Sequence, residues 1–156
     1  MDVSIVMTAL DEPYVNKTID DILEKTDSRL KEIIVIDDVS KEHIQHPDAK
    51  VYRNSSRQGL IWGRNFGTKK AQSDVIISVD PHVKIVSENW LDPIINKLEE
   101  NYKCIAFPKT YCLDPETWSE FNKDVPGFRT TWDWSLDFNW VKGKPKDGSS
   151  ESPAVA

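Results

Sequence analysis

Val75-Ile76-Ile77-Ser78-Val79-Asp80-Pro81-His82 joins a run of mostly β-branched residues to a polar turn. A short apolar run of this kind reads as a strand buried in a parallel sheet. In open α/β sheets, ligands collect outside the carboxyl ends of the strands. The stretch therefore places a carboxylate and an imidazole two positions apart where a ligand is expected. An Asp oxygen with a His nitrogen suits a borderline ion such as Mn2+ better than Mg2+ or Ca2+, which favour oxygen shells. Two donors do not complete a coordination sphere. The remaining positions fall to other parts of the chain, to water or to a bound diphosphate.

Outward from this stretch the chain alternates strands with helices. Val3-Ser4-Ile5-Val6-Met7-Thr8-Ala9 reads as a first strand ending at Leu10-Asp11-Glu12-Pro13. Val15, Ile19, Ile22 and Leu23 recur at helical spacing, which predicts an amphipathic helix over residues 13–26. Residues 32–36 form a second strand closing on Asp37-Asp38, residues 41–47 a connector, and residues 50–53 a short third strand. Gly59 opens a helix over about 60–72. Leu91, Ile94, Ile95 and Leu98 mark another helix, whose start Pro93 confines to residues 89–91. Residues 104–108 and 110–113 are further strand candidates. The alternation is that of a doubly wound α/β fold with a mostly parallel sheet flanked by helices.

After Asp114 the character changes. Trp118, Phe121, Phe128, Trp132, Trp134, Phe138 and Trp140 crowd one stretch. The last four all lie at even positions, as on one face of a strand. They read as a hydrophobic cover over the sheet in preference to a sugar-stacking surface. Residues 1–141 are expected to form the domain, and residues 142–156, rich in Lys, Gly, Ser and Pro, a mobile tail or loop.

The 156 residues suffice for one core without staples. A formal charge of −6 argues against nucleic acid as a partner. No apolar run approaches the ~20 residues that span a bilayer, and no signal-peptide pattern opens the sequence, so a cytoplasmic location is expected. Cys104 and Cys112 read as reduced packing thiols rather than a disulfide framework.

Three acidic turns follow three strands: Asp11-Glu12, Asp37-Asp38 and Asp80. Their recurrence at one sheet edge is the informative point, since each alone is an ordinary solvated turn. Such carboxylates can accept from a uracil N–H or a ribose hydroxyl, or hold a metal. Arg57-Gln58-Gly59-Leu60-Ile61-Trp62-Gly63-Arg64 adds a tight entry into a helix whose first N–H groups favour anions. Arg64 can there neutralise a diphosphate or orient an acidic neighbour. His43 and His46 read as surface residues of the connector; His82, after a buried strand, reads as a ligand.

Taken in order, these segments resemble the catalytic domain of polypeptide N-acetylgalactosaminyltransferases within the GT-A glycosyltransferases. The match rests on Ser4-Ile5-Val6 through Asp11-Glu12, Leu30-Lys31-Glu32-Ile33-Ile34-Val35-Ile36-Asp37-Asp38-Val39-Ser40, Tyr52-Arg53-Asn54, Arg57-Gln58-Gly59-Leu60-Ile61 with Arg64, Asp80-Pro81-His82, Trp90-Leu91-Asp92-Pro93 and Trp132-Asp133-Trp134-Ser135-Leu136-Asp137-Phe138-Asn139-Trp140. The resemblance implies a minimal or truncated GT-A domain, a UDP-sugar donor, and Mn2+ or another divalent cation held by Asp80 and His82. It further implies uridine contacts from Thr8, Ala9, Glu12 and Asp37, with Gly59 and Arg64 near the nucleotide. It implies transfer of N-acetylgalactosamine or a related hexose, with retention, to a sugar, peptide or small-molecule hydroxyl. Leu10-Asp11 departs from the family's His-Asn before Glu12, and Tyr111 stands where an acidic residue is usual. The family's later Trp-Gly-Gly-Glu segment and third metal-binding His have no counterpart before Ala156. A nucleotide-sugar-binding module without transferase activity is therefore the alternative expectation. A nucleotidyltransferase ranks last, because Leu10-Asp11-Glu12-Pro13 offers no Gly-rich phosphate loop.

Overall fold

The computed structural model describes residues 1–106, 112–121, 128–132 and 138–142. The chain separates into two compact units, Met1–Asn96 and Lys97–Ala156.

The first unit is built on a parallel sheet of β1 (Val3–Ala9), β2 (Leu30–Asp37), β3 (Lys50–Arg53) and β4 (Val75–Ser78), ordered β3-β2-β1-β4. β1 is buried along its whole length, as a strand in a sheet covered on both faces must be; its polar Ser4 is buried too, and donates to Glu32 Oε1 at 2.7 Å. Val6, Ile34 and Ile36 point to one face and pack with Tyr52 and Phe66. Ile5, Met7, Ile33 and Val35 alternate to the other face and are equally buried.

α1 (Val15–Lys25) joins β1 to β2, and α2 (Leu60–Lys70) joins β3 to β4. The two crossovers run in opposite directions along the sheet order. Right-handed connection then assigns the helices to opposite faces. The chain's direction reverses between β1 and β4, and their carboxyl ends flank the topological switch point, where open α/β sheets bind ligands. α3 (Leu91–Glu100) carries Pro93 in its first turn, as expected of a residue without an N–H.

α2 lies unusually close to β1. A Cβ on Gly63 would stand 2.5 Å from both Thr8 Cγ2 and Thr8 Oγ1, and one on Gly67 would overlap Val6 Cγ1. Two glycines four residues apart thus let helix backbone rest on the strand.

Several expectations are corrected. The run at residues 75–79 is parallel, but it is an edge among the described strands; only Val75 is buried, and Ile76 is exposed. Residues 104–106 form no strand, while 107–111 lie outside the described residues. β5 (Cys112–Leu113) pairs antiparallel with β6 (Glu120–Phe121). The even-numbered aromatics do not share one strand. β7 (Phe128–Trp132) and β8 (Phe138–Lys142) are antiparallel, with Trp132 opposite Phe138 and Thr130 opposite Trp140. Alternation along the sequence was read across a chain reversal. Trp134 and the expected tail over 143–156 lie outside the described residues. Cys104 and Cys112 are free thiols as expected, but Cys112 is exposed rather than packed. His43 is exposed as expected, but the His46 side chain is 7% exposed and its Nε2 lies 3.0 Å from Asp20 Oδ1. It pins the connector to α1.

Candidate functional site

The carboxyl ends of β1, β2 and β4 bring the sequence candidates to one edge of the first unit. Asp37 ends β2 and stands in register with Ala9 of β1 and Arg53 of β3. It is fully buried. Its Oδ1 accepts from the Ser40 N–H at 2.8 Å, and its Oδ2 from the Arg53 guanidinium, which also reaches Ser40 O at 2.8 Å. Burial pushes the Asp37 pKa up, but the Ser40 and Arg53 donors outweigh it and hold the carboxyl below the ordinary carboxylate range.

Asp38 is 2% exposed and organises the loop before α2. Oδ1 accepts from Asn54 Nδ2 at 2.6 Å and the Gln58 N–H at 2.8 Å; Oδ2 accepts from the Gly59 N–H at 2.8 Å. Burial again raises its pKa, and the Gln58, Asn54 and Gly59 donors with the Arg57 charge more than offset it. The Gly59 N–H is therefore committed to Asp38. At φ 85° Gly59 takes a conformation that side chains avoid. Val39 is held at φ 71° between these bonded carboxylates and Ser40, a strained conformation for a β-branched residue.

Ala9 is buried, and its carbonyl accepts from the Asp38 N–H at 2.8 Å. The Asp11 N–H donates to Ser40 Oγ at 3.0 Å, and Asp11 Oδ1 accepts from the Lys41 N–H at 2.6 Å. These bonds tie the exits of β1 and β2 together. Thr8 lies beneath Gly63, and its Oγ1 is buried with no hydrogen-bond partner among the described residues.

The other carboxylates at this edge are less deeply buried: Asp80 is half exposed and Glu12 20% exposed. Arg64, on α2, donates to Asp80 Oδ1 at 2.9 Å, with the two side chains 43% and 54% exposed. Glu12 Oε2 lies 3.1 Å from His82 Nδ1, and Glu12 Oε1 accepts from the Tyr14 N–H at 3.3 Å. The structure thus joins Arg64 to Asp80 and Glu12 to His82, each pair linking elements distant in sequence. Sequence reasoning missed how the Asp80–His82 turn is held. Fully buried Thr18 donates to Pro81 O at 3.1 Å and accepts from the Val83 N–H at 3.2 Å. Asp21 accepts from the Ile85 N–H, and Lys25 Nζ donates to Ile85 O. Thr18, Asp21 and Lys25 fall on one helical face; that spacing was the available signal, though polar residues on a helix ordinarily mean a solvated face.

Among the described residues, no group of three or more His, Cys, Asp or Glu side chains is arranged to hold a metal ion. The chemistry of the accessible donors nonetheless suits one. Asp80 offers a carboxylate, and with the Glu12 carboxylate at Nδ1 the His82 ring retains Nε2 as a donor.

Comparison with known sequences decides the family: the profile described as "Glycosyl transferase family 2" matches residues 4–148. The chain belongs to glycosyl transferase family 2. Within it, the chain resembles polypeptide N-acetylgalactosaminyltransferases. It is 28% identical to the probable N-acetylgalactosaminyltransferase 6 of Caenorhabditis elegans over 98% of this chain and 28% of that protein. It is 31% identical to human polypeptide N-acetylgalactosaminyltransferase 14 over 83% of this chain and 24% of that protein. The chain thus spans about a quarter of the length of these relatives. Solved structures share the GT-A fold. The mannosyltransferase PcManGT from Pyrobaculum calidifontis, in complex with GDP-Man and Mn2+, superposes with a TM-score of 0.52 at 18% identity, over 62% of this chain and 32% of that one. S. aureus TarS in complex with UDP gives 0.54 at 18% identity, over 71% and 39%. Among the described residues of this family 2 chain, no helix is long and apolar enough to cross a membrane.

Proposed function

We propose that the carboxyl edge of the sheet binds a UDP-sugar together with a divalent cation, Mn2+ by preference. The chain then transfers the sugar, N-acetylgalactosamine or a related hexose, to a peptide, sugar or small-molecule hydroxyl. The observation that carries this reading is the pairing of Arg64 with Asp80 and of Glu12 with His82 beside the switch point between β1 and β4. The relatives' names supply the sugar, and the neighbours' titles the nucleotide and metal.

In this reading Asp80 and His82 would hold the cation, the one supplying a carboxylate oxygen and the other an imidazole nitrogen. When bound, the cation supplies positive charge against the departing diphosphate. Arg64 adds a guanidinium suited to phosphate oxygens, exchanging Asp80 for the ligand. The nucleoside lies along the Ala9–Asp37 row. There Thr8 contributes shape rather than a donor, because its hydroxyl is sealed under α2. The acceptor hydroxyl gives its proton to the leaving phosphate, and transfer proceeds with retention at the anomeric carbon.

The test is a thermal-shift panel of UDP-sugars with Mn2+, repeated with chelator, followed by UDP-release assays over hydroxyl acceptors. A Mn2+-dependent shift with one sugar and UDP release with an acceptor are expected. No shift with any UDP-sugar overturns the proposal. A shift without turnover reduces the chain to a binding module.

A further inference from the structure

We infer that Glu12 is a positioning residue for His82: it selects the Nδ1–H tautomer and so leaves Nε2 as the ring's donor to a cation. This deepens the proposed function and rests on its placement of the metal at Asp80 and His82. A carboxylate can only accept hydrogen bonds, so a neutral imidazole facing one must carry its proton on the facing nitrogen. Glu12 Oε2 faces Nδ1 at 3.1 Å. A neutral imidazole in water otherwise favours the proton on Nε2, which would leave the wrong nitrogen free.

The Glu12 side chain is itself held. Its Oε1 accepts from the Tyr14 N–H at the start of α1, and it is only 20% exposed, against 56% for His82. The backbone on either side of His82 is clasped by Thr18 through Pro81 O and the Val83 N–H. Ring and backbone are therefore both fixed from α1 and the residues leading into it. A Glu–His pair whose imidazole is 56% exposed contributes little to stability, whereas a carboxylate on the far nitrogen of a ligating imidazole is the usual orienting partner in metal sites.

The chain carries its own control. The Asp48 N–H donates to His46 Nδ1 at 3.1 Å, and His46 Nε2 faces Asp20 Oδ1. His46 must therefore hold the opposite tautomer.

The experiment is long-range 1H–15N correlation of the metal-free chain labelled at its three histidines, in mildly alkaline buffer. His82→Ala identifies the His82 signals. We expect Nδ1–H at His82 and Nε2–H at His46. Glu12→Ala should return His82 to the Nε2–H form while leaving His46 unchanged, which also reports that the fold survives. Glu12→Gln, whose amide oxygen can still accept, should keep Nδ1–H. Mn2+ affinity measured by electron paramagnetic resonance should fall about 10–100-fold in Glu12→Ala and recover in Glu12→Gln. An Nε2–H tautomer at His82 in the intact chain overturns the inference, as does a tautomer indifferent to Glu12→Ala. If the intact chain binds no Mn2+, the proposed function fails, and the tautomer still decides the role of Glu12.

Discussion

Asp37 and Asp38 are adjacent in sequence but serve different partners: one anchors Arg53 and the Ser40 turn, the other the loop entering α2. Asp38→Asn would set an amide N–H2 against donors that now meet a carboxylate. It should cost about 2–4 kcal/mol of stability at pH 7, measured by urea unfolding. The sign of the pH effect follows from the depressed native pKa. The unfolded chain binds protons at these groups first, so stability rises with pH through that interval. The contribution of Asp37 and Asp38 is complete above the ordinary carboxylate value of ~4 and is lost as pH falls through their lower native values. The intact chain should therefore lose stability on acidification more steeply than Asp38→Asn, and the two should converge in acid. Parallel profiles would show that Asp38 is not a depressed carboxylate. At the Asp80–His82 turn, the proposed function predicts that Asp80→Ala should abolish the Mn2+-dependent part of UDP-sugar binding, read by calorimetry with and without chelator, while leaving the melting temperature of the unliganded chain nearly unchanged. Asp80 is half exposed, and its one described partner is Arg64.

At the level of elements, two helices act on the site by different means. α1 holds the turn carrying Asp80 and His82 through Thr18. Thr18→Val keeps the shape and removes both hydrogen bonds, leaving Pro81 O and the Val83 N–H unmatched. A loss of about 1–3 kcal/mol is expected in denaturant unfolding, with a weaker Mn2+ affinity. α2 is governed by Gly63 and Gly67. Alanine is the better helix former by about 1 kcal/mol, yet Gly67→Ala should destabilise by about 1–3 kcal/mol, because its methyl has no space against Val6. A stabilised Gly67→Ala would mean the helix can lift without penalty. These devices also mark what a sequence conceals. β1, β2 and the helix after Gly59 were legible because apolar period and glycine punctuation are local signals. The Thr18 clasp was not, since its partners are backbone atoms more than sixty residues away. The aromatic alternation over residues 132–140 misled because period two is ambiguous where the chain doubles back between β7 and β8.

For the whole molecule, ligand and fold are linked by mass action. Saturating the site at a hundred times Kd with UDP-sugar and Mn2+ should add about 2.7 kcal/mol and raise the melting temperature by about 5–10 °C. Chelator should cancel most of that gain. Placement of the candidates at one edge was readable from the acidic turns that close successive strands. Their division into structural and accessible carboxylates was not: Asp37 and Asp38 look the same as Asp80 in sequence, and only the Ser40, Arg53, Asn54 and Gly59 partners separate them.

The glycine seat of α2 on β1 has a kinetic meaning. A helix backbone seated directly on the stiff β-branched side chains of Val6 and Thr8 has no compressible layer on which to slide. On the proposed function, Arg64 would therefore leave Asp80 by rotating about its own side-chain bonds, not by travelling with its helix. Handover of the guanidinium from carboxylate to arriving phosphate would then belong to the picosecond-to-nanosecond world of exposed rotamers, far ahead of the microsecond shifts of whole elements.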